Sequence, residues 1–137
     1  MKRGKKGFTL IEILLVVAII GSIAAMVLPR LAGRSEQAKM TLAKVDVQAN
    51  ISSALKLYEL DNGTYPSTAQ SLDALIKKPT QGPTPKNWNG PYLEKDPTDP
   101  WGRKYQYQFP GTHGKSYDLF SYGAKEKDEK GRITNWT

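Results

Sequence analysis

Residues 8–28 read FTLIEILLVVAIIGSIAAMVL, a 21-residue run that is apolar almost throughout. As a helix at about 1.5 Å per residue it spans roughly 31 Å, the thickness of a bilayer's hydrocarbon core. It carries one carboxylate, Glu12, four residues after Phe8. A lone acid in a membrane-length segment is costly because its charge is not hydrated there. It therefore marks a functional site whose partner has to be named. Residues 1–7 are short and basic, with Lys2, Arg3, Lys5 and Lys6 and no acid. Positive residues beside a membrane segment hold that end in the cytoplasm, so the rest of the chain is expected to face outward.

Working outward, the whole chain of 137 residues has room for one small globular domain beyond this segment. It has no cysteine, which excludes disulfides, thiol catalysis and thiolate metal sites. The formal charge is +7, but four of the positive charges lie in residues 1–7. Without them, 16 basic residues face 13 acidic ones, so the basicity is mostly a topogenic label. An ordinary secretory signal is the rival for this N-terminus. Such signals have apolar regions of about 7–15 residues ending in small residues of the A-x-A type. The run here is longer, and Ala24-Ala25-Met26 is a poor cleavage site.

The apolar run passes into an amphipathic segment. Val47, Ile51, Ala54, Leu55 and Tyr58 fall on one helical face, with Lys44, Gln48, Ser52, Lys56 and Glu59 opposite. Asp61-Asn62-Gly63 is a stop signal, with Gly63 suited to a left-handed cap. One helix is therefore expected from Phe8 to about Leu60. Pro29 lacks an N–H and clashes with the carbonyl of Ala25, and Gly33 weakens the same stretch. A kink, or a hinge at Pro29 and Gly33, is expected where the membrane ends. Further on, Ser67 or Thr68 is expected to cap a short helix containing Leu72, Leu75 and Ile76. Residues 79–91 are rich in proline and glycine and read as a loop. Tyr105, Tyr107 and Phe109 alternate with polar residues, the period of a half-buried strand. Tyr117, Leu119 and Ser121 mark a second strand, Lys125 to Gly131 a charged turn, and Ile133 to Trp136 a third strand. The expected class is α+β: a long N-terminal helix packed against a small antiparallel sheet. The expected divisions are 1–7, 8–28 and 29–137.

The junction Gly7-Phe8-Thr9-Leu10-Ile11-Glu12 resembles the cleavage site of class III prepilins. Three later stretches narrow the resemblance: Tyr58-Glu59-Leu60-Asp61-Asn62-Gly63-Thr64-Tyr65-Pro66, then Asp99-Pro100-Trp101-Gly102 with Tyr105 and Tyr107, then Asp118-Leu119-Phe120-Ser121-Tyr122-Gly123-Ala124 with Asn135-Trp136. Together they are similar to the major pseudopilins of type II secretion systems.

The resemblance implies a single-pass inner-membrane precursor with its N-terminus in the cytoplasm. It implies cleavage between Gly7 and Phe8, where a glycine lets a peptidase approach the backbone, and N-methylation of Phe8 by the same enzyme. It implies homopolymerisation into a periplasmic fibre that promotes export of folded proteins across the outer membrane. The implied partners are the prepilin peptidase/methyltransferase, minor pseudopilins, an inner-membrane platform with its ATPase, and membrane lipid before assembly. Glu12 would set subunit register by pairing with the amine at Phe8 of a neighbour. The family also implies calcium in the last loop, held by two Asp. Here those positions are Lys125 and Arg132, so no metal or other cofactor is expected. Lys125 or Arg132 is expected to pair with an acid or with backbone carbonyls in the ion's place. Lys104 departs from the family's usual Pro and affects only a turn.

No enzyme is indicated. His113, the single histidine, sits in a glycine-flanked loop and reads as a surface residue. Asp96, Asp99 and Asp118 are spaced as turn and cap residues. Trp88, Tyr92, Trp101, Tyr105 and Tyr107 could stack single-stranded nucleic acid, but the small charge beyond residue 7 favours packing, and no nucleic acid is expected. The alternative in the same superfamily is a type IV pilin for adhesion, motility or DNA uptake. A tethered domain that never polymerises is the other rival, and the Gly7-Phe8 junction with Glu12 argues against it.

Overall fold

The computed structural model describes residues 4–136; Lys2 and Arg3 of the basic stretch lie outside the described residues. Packing divides the chain into two compact units, one up to Gln37 and one from Ala38 onward.

Helix α1 runs Leu10–Val45, a single turn of π-helix follows at Asp46–Asn50, and α2 runs Ile51–Asn62. The helix begins at Leu10 rather than Phe8, because Thr9 caps it. Pro29 and Gly33 lie inside α1, which stays helical through both. Gly63 ends α2 in a left-handed conformation, φ 77°, with its N–H on the Glu59 carbonyl at 2.7 Å. The π turn has no simple signature in the sequence. It inserts one extra residue into the hydrogen-bond ring, seen in the bond from Ile51 N–H to the Asp46 carbonyl. The Ser52 hydroxyl donates to the Val47 carbonyl at 2.6 Å and supports this wide turn.

In the unit from Ala38 onward, one helical stripe is buried: Ala43, Val47, Ile51, Ala54, Leu55 and Tyr58. Leu119 and Ile133 from the sheet complete the core with Leu72, Ala74, Leu75 and Tyr105. Full burial of a side chain such as Leu55 contributes about 1.5–3 kcal/mol. The expected short helix after Pro66 is instead a turn followed by one 3-10 turn, Leu72–Leu75, capped by Ser71. Ser67 and Gln70 do cap each other, but Ser71 takes a positive φ of 56° and ends that turn before a helix can grow.

The sheet has three antiparallel strands in sequence order: β1 Gln106–Gln108, β2 Asp118–Ser121 and β3 Ile133–Thr134. Tyr107 pairs with Leu119, and Ser121 with Ile133. The last strand is shorter than the expected 133–136. At Asn135 the backbone N–H still donates to the Leu119 carbonyl at 3.0 Å, but the side chain replaces the rest of the ladder, accepting from Leu119 N–H and donating to the Tyr117 carbonyl, each at 2.9 Å.

Candidate functional site

The N-terminal site is built from three consecutive features. Residues Gly7, Phe8 and Thr9 are non-helical and exposed, and nothing packs within 4 Å of where a Gly7 side chain would start. Thr9 and Glu12 then close a reciprocal cap. The Glu12 Oε2 accepts from Thr9 N–H at 2.8 Å, and the Thr9 hydroxyl accepts from Glu12 N–H at 3.3 Å. This is a capping box, which satisfies two of the four amides that a helix N-terminus leaves unpaired. A carboxylate in the first turn also suits the positive end of the helix dipole. From Leu10 to Leu28 the helix exposes its apolar side chains on every side, including Ile11, Leu14, Val17, Ile20 and Ile23. It is long and apolar enough to cross a membrane. A helix hydrophobic all round needs lipid or other proteins as its surroundings.

This arrangement differs from the sequence reading in one respect. Glu12 has a partner within its own chain, Thr9. Thr-x-x-Glu before an apolar run was the signal for it. Glu12 uses only Oε2 in the cap, and its other oxygen, Oε1, is still able to accept a cation.

The second region is the loop between β2 and β3. Lys125 is exposed. Arg132 places its guanidinium 5.4 Å from the ring centres of both Phe120 and Tyr122, and 3.8 Å from the exposed Glu129. The cation on a loop carbonyl is one that sequence reasoning missed: Arg103 Nη2 donates to the Gly123 carbonyl. Asp128 caps the 3-10 turn Glu129–Gly131 by accepting from Lys130 N–H.

The aromatic residues are committed to packing. Trp88 Nε1 donates to the Ala74 carbonyl at 2.8 Å, Tyr92 to Asp61 at 2.7 Å, and Tyr107 to the Pro66 carbonyl at 2.8 Å. Tyr105 donates to Asp46 at 2.8 Å, tying the turn that leads into β1 to the π turn. Burial and the Asp46 carboxylate push the Tyr105 phenol well above its ordinary value, so it remains the donor. Trp101 packs against the core.

His113 is an exposed surface residue, as the sequence reads, but its ring has partners. Its Nδ1 lies 2.8 Å from the buried Asp118, and its ring stacks on Trp136 at 4.1 Å. Burial raises the Asp118 carboxyl. Hydrogen bonds from Thr112 N–H, His113 and the Thr112 hydroxyl outweigh that and hold it below the usual carboxylate range. A depressed carboxylate contributes stability that is full above its unfolded pKa, about 3.9, and lost as pH falls through the lower folded value. Asp118→Asn is therefore expected to lower stability near neutral pH by about 1–3 kcal/mol and to flatten the acid limb of a melting-temperature profile below about pH 4. An unchanged acid limb would show that Asp118 does not carry this dependence.

A fully exposed, capped apolar helix joined to a domain with its own core defines a pilin-like anchored subunit. The type II secretion system (T2SS) protein G family matches residues 30–136, and a prokaryotic N-terminal methylation motif matches residues 2–28. The chain belongs to the type II secretion protein G family. It is 54% identical to the type II secretion system core protein G of Pseudomonas aeruginosa, over 98% of this chain and 97% of that one. The core protein G of Aeromonas hydrophila is 44% identical, over 98% of this chain and 94% of that one. A crystal structure of the major pseudopilin of the type 2 secretion system of enterohaemorrhagic Escherichia coli superposes with a TM-score of 0.68. It is 38% identical and covers 77% of this chain and 89% of that one.

Proposed function

We propose that this chain is the repeating subunit of a type II secretion pseudopilus, a periplasmic fibre that promotes export of folded proteins across the outer membrane. One observation carries the reading: α1 exposes apolar side chains all round from Leu10 to Leu28, with a single acid at its capped start. Lipid suits that surface before assembly, and the same segments of neighbouring subunits suit it afterwards. The match to protein G over residues 30–136 favours this over a type IV pilin for adhesion, motility or DNA uptake.

The subunit is held in the inner membrane with its N-terminus in the cytoplasm. A prepilin peptidase cuts Gly7-Phe8 and methylates Phe8. An exposed, non-helical junction suits this step, because the peptidase can reach the backbone without unwinding α1. The further partners are minor pseudopilins and an inner-membrane platform with its ATPase. Pro29 and Gly33 act as the hinge during extraction, since the Ala25 carbonyl lacks its helical donor there. The role is structural rather than catalytic, and nucleic acid is not a partner.

Intact mass of the protein from cells with and without the peptidase tests this. Loss of residues 1–7 with gain of one methyl is expected only where the peptidase is present. An uncut chain in both strains, or a cut near Ala25, would refute it.

A further inference from the structure

We infer that arginine side chains, rather than a divalent cation, close the loop between β2 and β3 in this chain. The donor set decides it. Calcium requires several oxygen ligands, chiefly carboxylates. Among the described residues no group of three or more His, Asp or Glu is placed to hold a metal ion. The buried acid beside the loop has both of its oxygens in use. Asp99 is buried; its Oδ1 accepts from Trp101 N–H and Arg103 N–H at 3.1 and 2.9 Å, and its Oδ2 from the Ser121 hydroxyl at 2.7 Å. Ser121 in turn accepts from Gly123 N–H at 3.0 Å. Asp128 caps its own 3-10 turn.

The carbonyl most suited to a cation is already taken by one. Gly123 donates through its N–H to Ser121, and its carbonyl accepts from Arg103 Nη2. The two ends of the loop meet at this residue: a Cβ on Gly123 would stand 2.3 Å from the Gly131 carbonyl oxygen. Directly after Gly131, Arg132 faces the rings of Phe120 and Tyr122, which flank Ser121 on the β2 side. A guanidinium over aromatic faces is held by the ring quadrupoles without a carboxylate. Its ion pair with the exposed Glu129 adds little, being screened by water. Arg103 thus fixes the start of the loop and Arg132 fixes its end. Both residues position the backbone; neither acts on a substrate. Lys125 is not needed for either contact.

The test is thermal unfolding of the full-length protein in detergent micelles, in millimolar calcium and in chelator. Near-ultraviolet circular dichroism follows Trp88, Trp101 and Trp136, all within the unit from Ala38 onward. The wild type is expected to melt within about 1 °C in the two conditions, while R103Q and R132Q each melt roughly 5 °C or more lower in both. A wild-type melting temperature raised by calcium would overturn the inference. So would R103Q and R132Q that melt like the wild type. Neither outcome bears on whether the chain is cleaved or forms fibres, so this test stands apart from that reading.

Discussion

Glu12→Leu is expected to leave cleavage at Gly7-Phe8 and folding of the globular unit intact while abolishing fibres. The residue is far in sequence from the core, which begins at Ala43, so the unit from Ala38 onward has no reason to lose stability. The loss falls on assembly. The proposed cleavage would create a charged amine at Phe8, beside the positive end of the helix dipole, where a cation is unfavourable. In a low dielectric that charge needs a carboxylate, which in the proposed fibre is Glu12 of a neighbouring subunit, accepting through Oε1 while Oε2 stays on Thr9. Leaving one member of such a pair without its partner lowers association about a hundredfold or more.

Glu12→Gln separates the two roles of the residue. A Gln amide oxygen is able to accept from Thr9 N–H, so the cap survives, but no charge remains for the amine. If charge sets the register, Gln fails as completely as Leu. If the cap alone matters, Gln forms fibres. Electron microscopy of sheared fibres from cells expressing each variant, with intact mass to establish cleavage, gives the answer. Normal fibres from Glu12→Leu would sink the assembly role altogether.

The parts of this molecule that follow from local chemistry were legible in the sequence. Uniform apolarity marks residues 8–28, the stripe from Val47 to Tyr58 marks the buried face, and alternation around Tyr107 and Leu119 marks the paired strands. The Thr9–Glu12 cap was equally legible, as Thr-x-x-Glu before an apolar run. Ser71 was not legible. A positive φ is not favoured by a serine side chain, so nothing local marked the value of 56° there.

The remaining features depend on groups brought together from far apart. The π turn at Asp46–Asn50 is stabilised by Tyr105, 59 positions downstream. Arg103 meets Gly123 across 20 positions. Arg103 sits beside Lys104 in a turn-rich stretch, and nothing local distinguishes it. Only the fold brings it to the loop, where it joins Arg132, which pairs with Glu129 as expected.

Gly123→Ala is expected to cost far more than Gly63→Ala, although the two glycines have nearly the same backbone, φ 75° and 77°. At Gly63 nothing lies within 4 Å of a new Cβ. Alanine there bears only the conformational penalty of a left-handed residue, about 1–2 kcal/mol. At Gly123 the same penalty applies, and the new Cβ also lands 2.3 Å from the Gly131 carbonyl oxygen. Backbone at such a distance has to move. Movement separates Gly123 N–H from Ser121 and its carbonyl from Arg103, and it releases Asp99 from one end of a buried network. Each broken contact that leaves a buried group unsatisfied costs about 1–3 kcal/mol. The combined loss is a large share of the roughly 5–15 kcal/mol that holds a small domain together. Melting of the two full-length variants side by side checks this. Gly63→Ala is expected to fall by roughly 4–10 °C, and Gly123→Ala by at least about twice as much or to fail to fold. Equal losses at the two sites would mean that the loop between β2 and β3 gives way freely at Gly131, and that Arg103 does not hold it.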